Sequence, residues 1–153
     1  MRGLELKIPP PAVALVTALL MWLVSRFTPV LDFTFPARKI LAIALAVLGV
    51  TTAISGVITF RRARTTVNPL RPESASSLVN WGVYTLTRNP MYLGLLLVLT
   101  GWAIFLSNAL AFLFLPAFVL YINRFQIVPE ERALTSLFGR DFADYQSRVR
   151  RWL

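Results

Sequence analysis

Long apolar runs, separated by short polar punctuation, set the pattern of this chain. The run over 11–27 holds Ala12, Val13, Leu15, Val16, Leu19, Leu20, Trp22 and Leu23, and opens on prolines, which suit a first helical turn. Residues 40–60 form a second run of about 30 Å at 1.5 Å per residue, enough to cross a hydrocarbon core. A third, slightly short run covers 91–106, and Ser107-Asn108 reads as a tight turn into a fourth over 109–128. Pro116 inside the fourth run predicts a kink, because proline removes one backbone donor and crowds the preceding turn. The pattern predicts an all-α integral membrane fold with about four transmembrane helices.

Beyond Pro129 the pattern changes. Leu134, Leu137, Phe138, Phe142, Tyr145 and Val149 recur near helical spacing among polar residues, which predicts an amphipathic helix on the membrane surface, with Gly139 a candidate break. The connection over 26–39 carries Pro29, Asp32 and Pro36, with Phe27, Phe33 and Phe35 placed for the interface. The connection over 65–77 is the longest loop, interrupted by prolines and ending in serines, and it leads into a stretch over 76–94 where polar and ring-bearing residues meet an apolar helix. Gly49, Ser55 and Gly56 read as packing positions that let helices approach closely.

Composition narrows the chemistry. At 153 residues, 56% of them hydrophobic, the chain is expected to be a single membrane-embedded domain, with 1–60 supplying two N-terminal spans and 61–153 a functional core. With neither cysteine nor histidine in the sequence, thiolate nucleophiles and the commonest metal ligand are absent, so no metal site is expected. The net charge of +9 sits in clusters beside apolar runs, which points to anionic headgroups and membrane lipids rather than nucleic acid. Two Lys or Arg precede the first run, three lie between the first and second, five between the second and third, none between the third and fourth, and six from Arg124 onward. That bias predicts a multi-pass protein of the inner or plasma membrane with both termini cytoplasmic. Arg2 and Lys7 ahead of an apolar run imitate a signal peptide, but no small-residue cleavage site follows and the segment is expected to stay as an anchor.

The motifs Gly82-Val83-Tyr84, Arg88-Asn89-Pro90-Met91-Tyr92-Leu93-Gly94, Glu130-Glu131, Phe138-Gly139, Tyr145 and Arg148-Val149 resemble the isoprenylcysteine carboxyl methyltransferase family, with phospholipid N-methyltransferases as more distant relatives. The resemblance covers about 65–153. It implies an integral-membrane enzyme that binds S-adenosylmethionine, and releases S-adenosylhomocysteine, in a cytosolic pocket closed by the loop before the third span and the C-terminal segment. By family position Leu78 and Val79 would touch the cofactor through backbone and apolar surface, and Tyr84 would pack on it. Arg88, Asn89, Pro90, Met91 and Tyr92 would line it, and Glu130 would hold one of its polar groups. Arg124 falls near an arginine that orients a substrate carboxylate in the family, with Gln126 as the alternative occupant, and Glu131 is the second candidate catalytic residue. Asn89 departs from the histidine of better-known eukaryotic members; it keeps a donor and an acceptor but cannot titrate. Phe142 likewise replaces a tyrosine common in relatives.

Methyl transfer from a sulfonium asks a protein mainly to align two reactants and exclude water, which a site without histidine, cysteine or metal can do. A carboxylate acceptor is ionised at neutral pH and needs no base, so the composition leans toward a carboxylate or thiolate on a lipophilic or lipidated substrate entering sideways from the bilayer. An amine on a phospholipid or other small lipid is the alternative, with Glu130, Glu131 or a tyrosine as base. Each residue also has a plain structural reading: Arg88 as a headgroup anchor, Tyr84 and Tyr92 in an aromatic belt, Glu130-Glu131 at a helix N-terminus. Arg61, Arg62, Arg64, Arg150 and Arg151 read as topology and headgroup charges. Two rival classes are a non-enzymatic membrane module that retains the scaffold and a membrane reductase using a nicotinamide cofactor. The sequence does not indicate oligomeric state.

Overall fold

The computed structural model describes residues 5–63 and 75–153. Most of the long connection over 65–77 therefore lies outside the described residues. The described residues are mainly helical, without strands among them: α1 (Pro10–Phe27), α2 (Arg38–Arg62), α3 (Pro90–Leu106), α4 (Phe114–Ile122) and α5 (Val128–Arg148). A five-residue π-helical turn, Asn123–Ile127, joins α4 to α5, so helical structure runs almost continuously over Ala109–Arg148. That run, α1 and α2 are each long and apolar enough to cross a membrane, while α3 is apolar but only 17 residues long.

Why these segments are helices follows from their ends. Pro10 and Pro90 stand in the first turns of α1 and α3, where a missing N–H costs nothing, and Pro129 stands in the first turn of α5 directly after the π turn. Pro116 acts differently from a mid-helix kink: it falls in the first turn of α4, and the residues before it, Ala109–Leu113, wind as a 3-10 turn. The proline sits near the end of that tight turn, where an α-helical bond to it is not needed. Gly139 does break α5, with φ +48° and ψ −113° inside the helix, a backbone conformation that favours glycine.

Apolar surface on α1 and α2 points outward: Leu15, Phe27, Ile40 and Ile43 are among the exposed side chains, as expected for lipid-facing helices that are apolar all round. The most extensive helix pairing is α2 with α3, and small residues permit it. A Cβ on Gly49 would fall 2.5 Å from the Gly94 carbonyl oxygen, and one on Gly94 equally close to that of Gly49, so the two backbones touch where neither helix has a side chain. On its other side α3 packs on α1 and α4 around Met21, Tyr92, Leu99, Phe118 and Ile122, and the Trp102 indole donates to the Ala18 carbonyl at 3.0 Å. α3 is thus the central helix, and both of its ends carry polar clusters.

Candidate functional site

The N-terminal end of α3 gathers the polar groups. A 3-10 turn, Gly82–Thr85, seats Tyr84 in a small core with Val79, Phe142 and Tyr145, and its ring meets Phe60 of α2 edge-on at 5.1 Å. The Tyr145 hydroxyl donates to the Tyr84 carbonyl at 2.7 Å, which ties this turn to α5. Burial, followed by the neighbouring Tyr145 and the charge of Glu130, holds the Tyr84 phenol above its ordinary titration range. Its hydroxyl is buried without a hydrogen-bond partner among the described residues.

Arg88 is the hub of the closure. Its N–H donates to the Arg150 carbonyl at 3.0 Å, Nη1 donates to the Gln146 and Val149 carbonyls at 3.0 and 2.8 Å, and Nη2 meets Glu131 Oε1 at 2.9 Å. Arg151 grips the same carboxylate through Nη2 at 2.5 Å and Nε at 3.2 Å. The Thr87 hydroxyl and the Asn89 amide both donate to the Arg151 carbonyl, at 3.2 and 2.9 Å. The chain after α5 therefore folds back across the entrance to α3, stitched by an arginine fork suited to a carboxylate on one side and carbonyls on the other.

Next to this closed network lies an open one. Tyr92, on the first turn of α3, is buried and donates its hydroxyl to Glu130 Oε1. Glu130 has no cationic partner among the described residues, in contrast to Glu131, which has two. Pro90, Met91 and the Tyr84 hydroxyl converge near Gly56 of α2, where an added Cβ would lie 3.2, 3.0 and 3.5 Å from their nearest atoms. The open group is a carboxylate held by one phenol and within electrostatic reach of a second, an arrangement that attracts a cation or a strong hydrogen-bond donor.

The predicted residues separate into three places. Tyr84, Arg88, Asn89, Pro90, Met91, Tyr92, Glu130 and Glu131 meet at the entrance to α3. Val79 is buried in the Tyr84 core, and Leu78 packs beside it while also lining a shallow polar cleft with Asn80, Asp141, Asp144 and Arg148. Arg124 lies apart: its Nη1 pairs with Glu5 at 2.7 Å and its side chain is 46% exposed. Gln126, its alternative, is wholly buried and its Nε2 donates to the Ile8 carbonyl at 2.8 Å. Arg151, expected to serve headgroups, is instead part of the Glu131 clamp, a role invisible in sequence because the partner is twenty residues away across a chain reversal. Thr87 and the carbonyls of Gln146, Val149 and Arg150 were equally hidden, since main-chain acceptors leave no signature in residue identity.

Comparison with known proteins decides the family. A model of the phospholipid methyltransferase family matches residues 37–141, from the start of α2 to the middle of α5. The chain belongs to that family. It is 32% identical to protein-S-isoprenylcysteine O-methyltransferase B of Arabidopsis thaliana over 110 residues, 70% of this chain and 54% of the plant protein. The probable protein-S-isoprenylcysteine O-methyltransferase of Oryza sativa subsp. indica matches at the same identity, with 56% of its length covered. The chain thus spans about half the length of these curated relatives. An uncharacterized protein of Haemophilus influenzae is 51% identical over 63 residues, 41% of this chain and that protein's whole length. No solved structure matches. Family and apolar helices together make this a multi-pass membrane protein of the isoprenylcysteine methyltransferase-like group. The family match begins ahead of the motifs, so it takes in α2, whose sequence carries none of them.

Proposed function

We propose that this protein is an S-adenosylmethionine-dependent methyltransferase acting on a lipophilic substrate at the cytosolic membrane face, with both termini cytoplasmic and four membrane-crossing helices. One observation carries the cofactor reading: Glu130, held by Tyr92 and lacking a cation among the described residues, lies within electrostatic reach of a buried Tyr84 hydroxyl that has no partner there. Buried polar groups without partners are costly, and a ligand ammonium, donating to the Glu130 carboxylate and to the Tyr84 oxygen, would satisfy both. S-adenosylmethionine supplies an already activated methyl group when bound, so the protein's work is placement and exclusion of water.

In this reading Glu130 binds a cationic group of the cofactor, Tyr92 orients the Glu130 carboxylate, and Tyr84 offers its hydroxyl and ring face. Leu78 and Val79 supply apolar contact, and Arg88, Asn89, Pro90 and Met91 form the wall, with Arg88 and Asn89 holding the C-terminal segment shut behind them. Glu131 acts in closure through its two arginines. The acceptor we assign is a carboxylate of the isoprenylcysteine type, ionised without a base, in keeping with the plant relatives. The family match keeps an amine-bearing lipid as the second reading. In either case the lipid tail stays in the bilayer while its head reaches the site.

The test is calorimetric binding of S-adenosylmethionine to protein in lipid nanodiscs, with Glu130→Gln and Tyr84→Phe as controls. A micromolar Kd, about −8 kcal/mol, that is weakened in both variants supports the assignment. Wild-type protein that binds nicotinamide cofactor instead, or neither cofactor, sinks it in favour of a reductase or a non-enzymatic module. A panel of prenylcysteine, amine-lipid and thiol acceptors then separates the carboxylate from the N- and S-methyl readings.

A further inference from the structure

The junction between α4 and α5 has a bond its own helix cannot make. In an α-helix the Phe125 carbonyl would accept from the N–H four residues on, and that residue is Pro129, which has none. The chain here winds as the π-helical turn Asn123–Ile127, with the Val128 N–H reaching back to Asn123. The Phe125 carbonyl is met from outside: the Leu6 N–H donates to it at 3.0 Å. Three further contacts fasten the same segment. Gln126, fully buried in the π turn, donates to the Ile8 carbonyl at 2.8 Å, and the Glu5 carboxylate bridges Arg124 at 2.7 Å and Arg132 at 2.5 Å, one within the π turn and the other in α5. Leu6 adopts φ +55°, a conformation sparsely populated by residues with side chains and kept only where the surroundings over-determine it.

The junction immediately precedes Glu130. A π turn holds one residue more than an α turn over the same rise, so converting it to α-helix would rotate everything beyond it by roughly one residue's angular step, about 100°. Such a rotation would carry Glu130 off the face that meets Tyr92.

We propose that residues 5–8 are a positioning strap, in which Glu5 and the Leu6 N–H stabilise the π-helical turn and thereby hold Glu130 against Tyr92 for ligand binding. The strap touches no ligand; Glu5, Gln126, Arg124 and Arg132 are positioning residues, which gives Arg124 a role other than orienting substrate. Its ligand readout rests on the cofactor reading above, so a second readout independent of cofactor accompanies it.

The experiment compares wild type, Glu5→Ala and Pro129→Ala in nanodiscs by S-adenosylmethionine binding, thermal unfolding, and hydrogen exchange over residues 123–131. Glu5→Ala removes the bridge; Pro129→Ala supplies the missing N–H and lets the π turn relax to α-helix. Both variants are expected to weaken binding about tenfold, the size of a typical coupling between sites. Exchange over 123–131 is expected to rise in Glu5→Ala and fall in Pro129→Ala, and Pro129→Ala should unfold no earlier than wild type. A purely structural role would not separate binding from stability in this way. Wild-type affinity in either variant, or losses that only follow a falling Tm, would overturn the strap. If wild type binds no cofactor, the functional reading fails, and unchanged exchange over 123–131 in both variants would overturn the strap independently.

Discussion

The two ends of α3 are built from similar materials and do opposite things. At the C-terminal end Asn108 is fully buried, and its amide N–H groups donate to the Thr28 carbonyl at 2.9 Å, the Thr28 hydroxyl at 3.2 Å and Asp32 Oδ1 at 2.8 Å. Its carbonyl accepts from the Leu110 N–H at 3.1 Å, and the Ser107 carbonyl accepts from Phe33 at 2.8 Å. Both the N–H groups and the oxygen of the Asn108 amide are engaged, and the cluster does no more than pin the α1–α2 connection to the α3–α4 corner. At the N-terminal end, about 25 Å away along the helix, a comparable network through Arg88 is dense but incomplete. Among the described residues Tyr84 Oη and Arg88 Nε are buried without partners, and Glu130 lacks a cation. Saturation marks a structural knot, whereas leftover valence beside a tight closure marks a place for a ligand.

The largest effect expected from breaking this contrast is at Arg88. Its side chain and that of Glu131 are only 13% and 15% exposed, and removing Arg88 leaves Glu131 with Arg151 alone and takes the donor from the Gln146 and Val149 carbonyls. Arg88→Ala should cost about 3–5 kcal/mol and free the C-terminal segment, read as a lowered Tm and new proteolytic cleavage near residues 146–153. Arg88→Lys should recover little, because a point charge cannot reach a carboxylate and two carbonyls with a planar fork. Asn108→Ala sharpens the contrast from the other end. It should cost about 1–3 kcal/mol by leaving buried groups unpaired, yet the Kd for S-adenosylmethionine should match wild type. A changed Kd there would mean that the two ends are coupled through α3.

The sequence was informative about what depends on residue type and spacing, and silent about what depends on main-chain acceptors. Apolar length alone located α1, α2 and α3 to within two residues at each end, because lipid-facing helices need no finer pattern. The pairing of 88–94 with Glu130-Glu131 was legible as two motifs. That Arg88 would choose Glu131 and leave Glu130 to Tyr92 was not, since adjacent glutamates on a helix differ only in the direction they face. The π turn had one written cause, Pro129, but proline near a helix start ordinarily signals a beginning, not the far end of an irregular turn inside one long helix. Arg124 drew its expected role from position in the family, and Glu5, its partner here, lies 119 residues earlier.

The subtlest effect is also the one that most directly separates site from scaffold. Tyr84→Phe removes a hydroxyl that has no partner among the described residues and keeps the ring against Phe60. Stability at neutral pH should stay level or rise by less than about 1 kcal/mol, since a buried unsatisfied group is a cost. Affinity for S-adenosylmethionine should fall. The pH dependence gives a second handle. The Tyr84 phenol titrates above its ordinary value in the folded protein, so folding favours its neutral form. Its contribution is intact below the unfolded tyrosine pKa of about 10 and is lost as pH rises toward the folded value. Tyr84→Phe should therefore shift the alkaline unfolding midpoint upward, measured by circular dichroism in nanodiscs between neutral and strongly basic pH. An unchanged alkaline midpoint together with unchanged affinity would show that the hydroxyl is satisfied in the membrane, and the N-terminal end of α3 would then be as closed as the end at Asn108.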